Sequence, residues 1–242
     1  NNSDDFGVDY GEFEDDIGWY TLINLRDVWQ IDMVGRTSKE RVGYDTQKPE
    51  KLLKRIILTS SDKDSIVADF FAGSGTTGIV AEKFNRKWIM VDKGALSSIT
   101  INKRLIENHG APFYNYKLSN NTERIGELFI KNMEIVKDKK GIGDLIIELD
   151  RYELRLNEII IKDKYREKVL EILTKDSLAL IDFIGIDIDY NGYNPIISWQ
   201  YYRNNNNLYI GSNIKIEGIK FKDNHKIYIK YVDIFGHENS II

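Results

Sequence analysis

Ser65-Ile-Val-Ala-Asp-Phe-Phe-Ala-Gly-Ser-Gly-Thr-Thr-Gly78 is the stretch on which the fold depends. An apolar run over residues 66–71, interrupted by Asp69, leads directly into glycines, which predicts a buried strand delivering its carboxyl end to a tight loop. Thr76 and Thr77 stand where the next helix would start. Gly73 and Gly75 lack a Cβ, so backbone N–H groups there can approach a ligand and the chain can turn with positive φ. The expectation is a cradle for a nucleotide-like cofactor.

Gly73, Gly75 and Gly78 also fit G-x-G-x-x-G, the dinucleotide fingerprint, which expects an acidic residue about 20 positions on. Asp92, ending the apolar run 88–91, fills that place. It would equally hold the ribose of an adenosine whose other end is an amino acid. The residues around the glycines separate the two readings. Asp69, Phe70, Phe71 and Ala72 before Gly73, then Ser74, Gly75, Thr76 and Thr77, resemble the Asp-x-Phe-x-Gly-Ser-Gly-Thr-Thr cofactor loop of amino-methylating DNA methyltransferases. The resemblance implies S-adenosylmethionine as cofactor.

Thr46-Gln47-Lys48-Pro49 lies about twenty residues upstream and opens a helical pattern with apolar positions 52, 53, 56 and 57. Proline suits a first helical turn, where its missing N–H costs nothing. Members of the same beta-class (N6-adenine or N4-cytosine) family that carry their cofactor loop late in the chain have a Thr-Gln-Lys-Pro segment here, beside the cofactor's methionine end. They usually have proline before the threonine, where this chain has Asp45. The resemblance covers roughly residues 26 to 118. It implies Asp69 near the donor's amino group, Ala72, Gly73 and Gly75 along its methionine portion, Asp92 with the adjacent Lys93 at the ribose, and Lys48 at the carboxylate. Each has a plainer alternative: Asp69 as a strand-end acid capping a turn, Asp92 as a turn residue, Lys48 as a solvated lysine.

In the family, the target base is gripped by a catalytic loop written Asp-Pro-Pro-Tyr or Asn-Pro-Pro-Tyr, which holds the flipped base. Here the three prolines, 49, 112 and 195, are nowhere adjacent. No catalytic residue is therefore assigned, the motif is expected upstream of residue 1, and the chain alone is expected to be inactive. Asn194-Pro195-Ile196 lacks the second proline and the aromatic. The motif order and long tail most resemble modification (Mod) subunits of type III restriction-modification systems, which methylate adenine N6. The partners implied are DNA and a restriction (nuclease) subunit or second methyltransferase subunit. A rival reading is a non-catalytic methyltransferase-like module for DNA recognition or subunit assembly.

The 242 residues, 42% hydrophobic, suffice for one large domain or two small ones. The formal charge of −4 is unevenly spread: residues 1–16 carry Asp4, Asp5, Asp9, Glu12, Glu14, Asp15 and Asp16 and no base, while residues 17–118 are mildly basic. Cysteine is absent, which removes disulfides and thiolate metal sites and fits a reducing, cytoplasmic compartment. His109, His225 and His237 have no neighbouring ligand pattern, so no metal is expected. No membrane span and no signal peptide are seen.

The expected organisation is a loop or disordered acidic end over 1–18, a cofactor-binding region over 19–118 and a C-terminal module over 119–242, with Ser119–Thr122 as the boundary. The first domain reads as α/β, a partial Rossmann-like methyltransferase sheet of the doubly wound kind, with helices over 50–59, 76–84 and 95–108 and strands over 66–71, 87–91 and 113–118. Arg36, Lys39 and Arg41 in the loop 35–43 face either DNA phosphate or water. The second domain reads as a smaller α+β module, with helices over 125–136 and 162–173 among alternating strand-like runs. Trp199, Tyr201 and Tyr202 read as bases' stacking partners or as packing.

Overall fold

The computed structural model describes residues 12–15, 18–21, 27–108, 110–117, 125–139, 141–204, 207–221 and 226–242. The boundary expected at Ser119–Thr122, together with His109 and His225, lies outside them. The chain divides into two compact units, Asn1–Tyr114 and Asn115–Ile242.

In the first unit, β1 (Glu12–Asp15) pairs antiparallel with β2 (Gly18–Thr21), so residues 12–15 are a strand rather than part of an acidic loop. The alternating Glu12-Phe13-Glu14 and the aromatic Trp19-Tyr20 favour extended backbone enough to outweigh the acidic composition. Helix α1 (Glu50–Ser60) starts directly after Pro49. Strand β3 (Ile66–Asp69), helix α2 (Thr76–Lys83) and strand β4 (Lys87–Met90) form a βαβ unit, with β3 and β4 parallel. Helix α3 (Ala95–Glu107) follows.

Helix α2 is buried on nearly every side, as expected of a short helix between two others. Ile79 packs with Ile101 and Leu105 of α3, while Val80 and Ala81 pack with Ile57 of α1. Arg86 fastens the helix ends, its guanidinium donating to the Ser61 and Phe84 carbonyls.

One expectation fails here, the strand over 113–118. Among the described residues the parallel sheet has two strands, β3 and β4. Its strands alternate in burial, leaving Ile66 66% exposed and Ile89 and Val91 exposed as well. Residues 113–117 form no strand. Phe113 packs on Trp88, ring centroids 6.1 Å apart, while Tyr114 and Tyr116 stay exposed, so their alternation reflects one anchoring aromatic and not pairing with a sheet.

The second unit is longer than the first and mostly β. Strands β5 (Gly126–Lys137), β6 (Ile142–Leu154) and β9 (Asn213–Lys220) form one antiparallel sheet. Strands β7 (Ile181–Tyr190), β8 (Trp199–Tyr202), β10 (Lys226–Asp233) and β11 (Glu238–Ile241) form another, in the order β11-β10-β7-β8. Leu145, Ile147 and Leu149 of β6 share one core with Ile184 and Ile186 of β7, Ile229 of β10 and Val169 of α4 (Asp163–Lys175).

The helix expected over 125–136 is therefore β5. Its pairing with β6 shifts register between Phe129 and Asn132, a bulge that breaks the period-two pattern, while Ile125, Leu128, Phe129, Met133 and Val136 happen to recur at the spacing of a helical face. Trp199 and Tyr201 stack on each other and pack against the core, which favours the packing reading. Among the described residues, no helix is long and apolar enough to cross a membrane and no cluster of His, Cys, Asp or Glu could hold a metal ion.

Candidate cofactor site

The carboxyl ends of β3 and β4 carry the two acids, and the loop between β3 and α2 carries the glycines. Gly73 and Gly75 both have positive φ, +52° and +75°. Gly75 precedes α2, where a Cβ would lie 2.6 Å from Ile101 Cγ1, so both conformation and space demand glycine. Gly75→Ala is expected to cost about 1–3 kcal/mol, read as a lower urea midpoint at unchanged slope.

Asp92 joins the strand end to the glycine turn: Oδ2 accepts from Gly73 N–H at 2.9 Å and Oδ1 from Gly94 N–H at 2.8 Å. Asp69 accepts from Phe71 N–H at 3.0 Å and from Thr77 Oγ1 at 2.6 Å, which ties β3 to the first turn of α2. The turn-capping role considered for Asp69 is thus present in the structure. Thr76 Oγ1 donates to the Lys48 carbonyl at 3.2 Å, bringing the Thr-Gln-Lys-Pro segment against the glycine loop.

The remaining expected residues divide by exposure. Gln47, Ala72, Ser74 and Thr76 are buried and serve the architecture. Gln47 is a clamp, its Oε1 accepting from Val42 N–H at 2.9 Å and its Nε2 donating to the Glu40 carbonyl at 2.6 Å. Ala72 N–H donates to the Val91 carbonyl at 3.0 Å. Thr46, Lys48, Asp92 and Lys93 are exposed. Phe70 and Phe71 are 63% and 92% exposed, an apolar platform beside the turn. A cavity of about 400 Å³ opens beside Lys48 and Pro49, walled by Trp29, Met33 and Leu52.

Sequence reasoning missed three residues. Arg104, 3% exposed, reaches from α3 beneath the loop, donating from Nη1 to the Ser74 carbonyl at 2.9 Å and Thr76 Oγ1 at 3.0 Å, and from Nη2 to Glu50 Oε1 at 3.1 Å. Burial lowers the affinity of its guanidinium for its proton, and Glu50 opposes that shift. Ser97 Oγ donates to the Gly73 carbonyl at 2.5 Å. Glu40 Oε2 accepts from Glu50 N–H at 2.9 Å, capping α1. None of the three had a local signal: Glu40 stands ten residues before the amide that it caps, and the partners of Arg104 and Ser97 are further still.

The glycine turn, the acid at the next strand end and the lysine-proline helix start therefore meet in one unit, and comparison with known proteins bears on that arrangement. The chain is 39% identical over 89 residues to the type II methyltransferase M2.LlaDCHI of Lactococcus lactis subsp. cremoris, a stretch covering 37% of this chain and 32% of that protein. It is 42% identical over 84 residues to the type II methyltransferase M.HpaI of Haemophilus parainfluenzae, covering 35% and 24%. It is 51% identical over 65 residues to the DNA adenine methyltransferase YhdJ of Escherichia coli (strain K12), covering 27% and 22%. The matches thus span about a third or less of these relatives. The family described as DNA methylase matches residues 19–191, well over half of the chain. On the strength of that match, and with the glycine turn, Asp92 and Lys48 where they are, the chain belongs to the DNA methylase family, whose members take their methyl group from S-adenosylmethionine.

Proposed function

We propose that this chain is the cofactor-holding part of a DNA methyltransferase that modifies the N6 amino group of adenine. The observation that carries this reading is the hydrogen-bonded convergence of Asp92 with Gly73 and of Lys48 with Thr76. The adenine assignment draws on YhdJ, whose name states that base. The comparison relatives are type II methyltransferases and YhdJ, so membership of a type III Mod subunit rests on motif order and tail length alone.

The residues present suit the cofactor. Asp92 is exposed and keeps lone pairs beyond those given to Gly73 and Gly94, so it can accept from two ribose hydroxyls. Phe70 and Phe71 offer apolar surface to a purine, and Lys48 offers a cation to a carboxylate. S-adenosylmethionine, when bound, supplies a methyl group on a positively charged sulfur. On this reading β3, α2 and β4 belong to a Rossmann-like sheet. Parallel sheets are covered on both faces, and the bare Ile66, Ile89 and Val91 mark where a further layer would pack. With no adjacent prolines to grip a flipped base, this chain alone is not expected to methylate DNA.

Calorimetric titration tests the reading. S-adenosylmethionine should bind, NAD should not, and Asp92→Ala should weaken binding at least about tenfold, the equivalent of one lost charge-assisted hydrogen bond. A second reading, a methyltransferase-like module kept for assembly with a nuclease or second methyltransferase subunit, is favoured by the structural bonds that Asp69 and Asp92 make within the chain. Absence of any donor heat would favour it.

A further inference from the structure

We infer that the loop over residues 35–43 is a rigid phosphate clamp for the DNA that flanks the acceptor base; the inference rests on the proposed function. The loop's sequence, Gly-Arg-Thr-Ser-Lys-Glu-Arg-Val-Gly, has three cations and one acid. A connecting loop ordinarily runs over the surface and is more mobile than the elements that it joins. This one is held along its length and carries a net positive charge.

Its backbone is pinned along its length. Ser38 N–H donates to the Gly35 carbonyl and Arg41 N–H to the Ser38 carbonyl, each at 3.1 Å, giving two consecutive tight turns. The buried Gln47 side chain then holds both Glu40 and Val42. The only acid, Glu40, is withdrawn from the loop's cations, its carboxylate accepting from the first amide of α1. Arg36, Lys39 and Arg41 are left exposed, and among the described residues none of their side chains has an ion pair or hydrogen-bond partner. The loop presents three positive charges within six residues, and the carboxylate of its one acid, Glu40, is bound to the first amide of α1 rather than paired with any of them.

Its position suits this use. Glu40 caps Glu50, Glu50 binds Arg104, and Arg104 binds Ser74 and Thr76 on either side of Gly75. The clamp is thus built onto the same scaffold as the candidate cofactor turn, as a phosphate contact needs if it is to hold a base in register with a methyl donor. Duplex DNA carries about one negative charge per 1.7 Å of axis, a density that three exposed cations on a held backbone complement.

The test is fluorescence anisotropy with labelled duplex DNA at 50 to 200 mM salt, using the whole chain and the variant Arg36→Gln/Lys39→Gln/Arg41→Gln. If all three cations meet phosphates, the slope of log K against log salt falls by about 0.9 for each, so the wild type loses roughly fortyfold more affinity than the variant across that range. S-adenosylmethionine affinity should not change, which keeps this result separate from the fate of the cofactor reading. Lys63→Gln/Lys87→Gln/Lys117→Gln, three exposed lysines outside the loop, is the control for net charge. Equal slopes in wild type and variant, an equal loss in the control, no DNA binding by the wild type, or polyglutamate binding as tight as DNA binding would each overturn the inference.

Discussion

Replacing Arg104 by methionine is expected to lower the stability of the first unit by about 3 kcal/mol and to abolish measurable S-adenosylmethionine binding. The side chain is buried, and its two nitrogens hold three groups, tying the Ser74 carbonyl and Thr76 Oγ1 of the glycine turn to Glu50 of α1. Methionine fills a similar volume but donates nothing, leaving a buried carbonyl unpaired on the turn that carries Gly75. Glu50 keeps Lys83 as a partner at 2.6 Å and is partly solvated, which is why the expected cost sits at the low end of the range for a broken buried pair. Lysine should not rescue, because a single ammonium cannot span the separate acceptors that a planar guanidinium fork reaches. Lys83→Ala, which removes the exposed partner, should cost only about 0–1 kcal/mol. Urea unfolding and donor calorimetry on the three variants would read this order. A stability loss below 1 kcal/mol for Arg104→Met would show that the loop holds its shape without the arginine.

Arg104 also marks where sequence reasoning stopped. The strand, glycines and helix start of the cofactor loop are contiguous, so spacing and residue type carry them directly. An arginine in a helix whose other face is apolar reads as a solvated charge, and nothing local reveals that its partners are Ser74, thirty positions back, and Glu50, fifty-four back. Ser97 and Gly73 are hidden from each other in the same way. The parallel β3–β4 pair follows from one short crossover and was legible, with ends two or fewer residues from those expected. Strand β5 was not, because its bulge scrambles the alternation on which a strand assignment depends. Asp69 and Asp92 were legible as acids at strand ends, but their bonds to Phe71, Thr77, Gly73 and Gly94 depend on backbone geometry that no residue pattern states.

The same limit hid the polar tie between the two sheets of the second unit, and Asp233→Ala is expected to cost about 4 kcal/mol there. Asp233 ends β10 fully buried, and its carboxylate takes four bonds, each 2.9 Å: Oδ1 from the Phe235 and His237 amides, Oδ2 from Tyr152 Oη and in contact with His237 Nδ1. Tyr152 stands on β6 in the other sheet, so this one carboxylate joins both layers and closes the turn into β11. Burial, reinforced by the negative charge of Asp233, pushes the Tyr152 phenol above its ordinary range, so it stays protonated and remains a donor. Alanine strands a buried hydroxyl and two half-buried amides together. Asparagine should behave differently. Its carbonyl oxygen still accepts both turn amides, and its amino group can donate to the Tyr152 oxygen once that hydroxyl rotates, so the expected cost falls to about 1 kcal/mol. Hydrogen exchange on the whole chain separates these outcomes: Asp233→Ala should speed exchange across β7 and β10, whereas Asp233→Asn should leave most of their protection in place. Equal losses in the two variants would mean that the negative charge, and not the acceptor geometry at the turn, holds the sheets together.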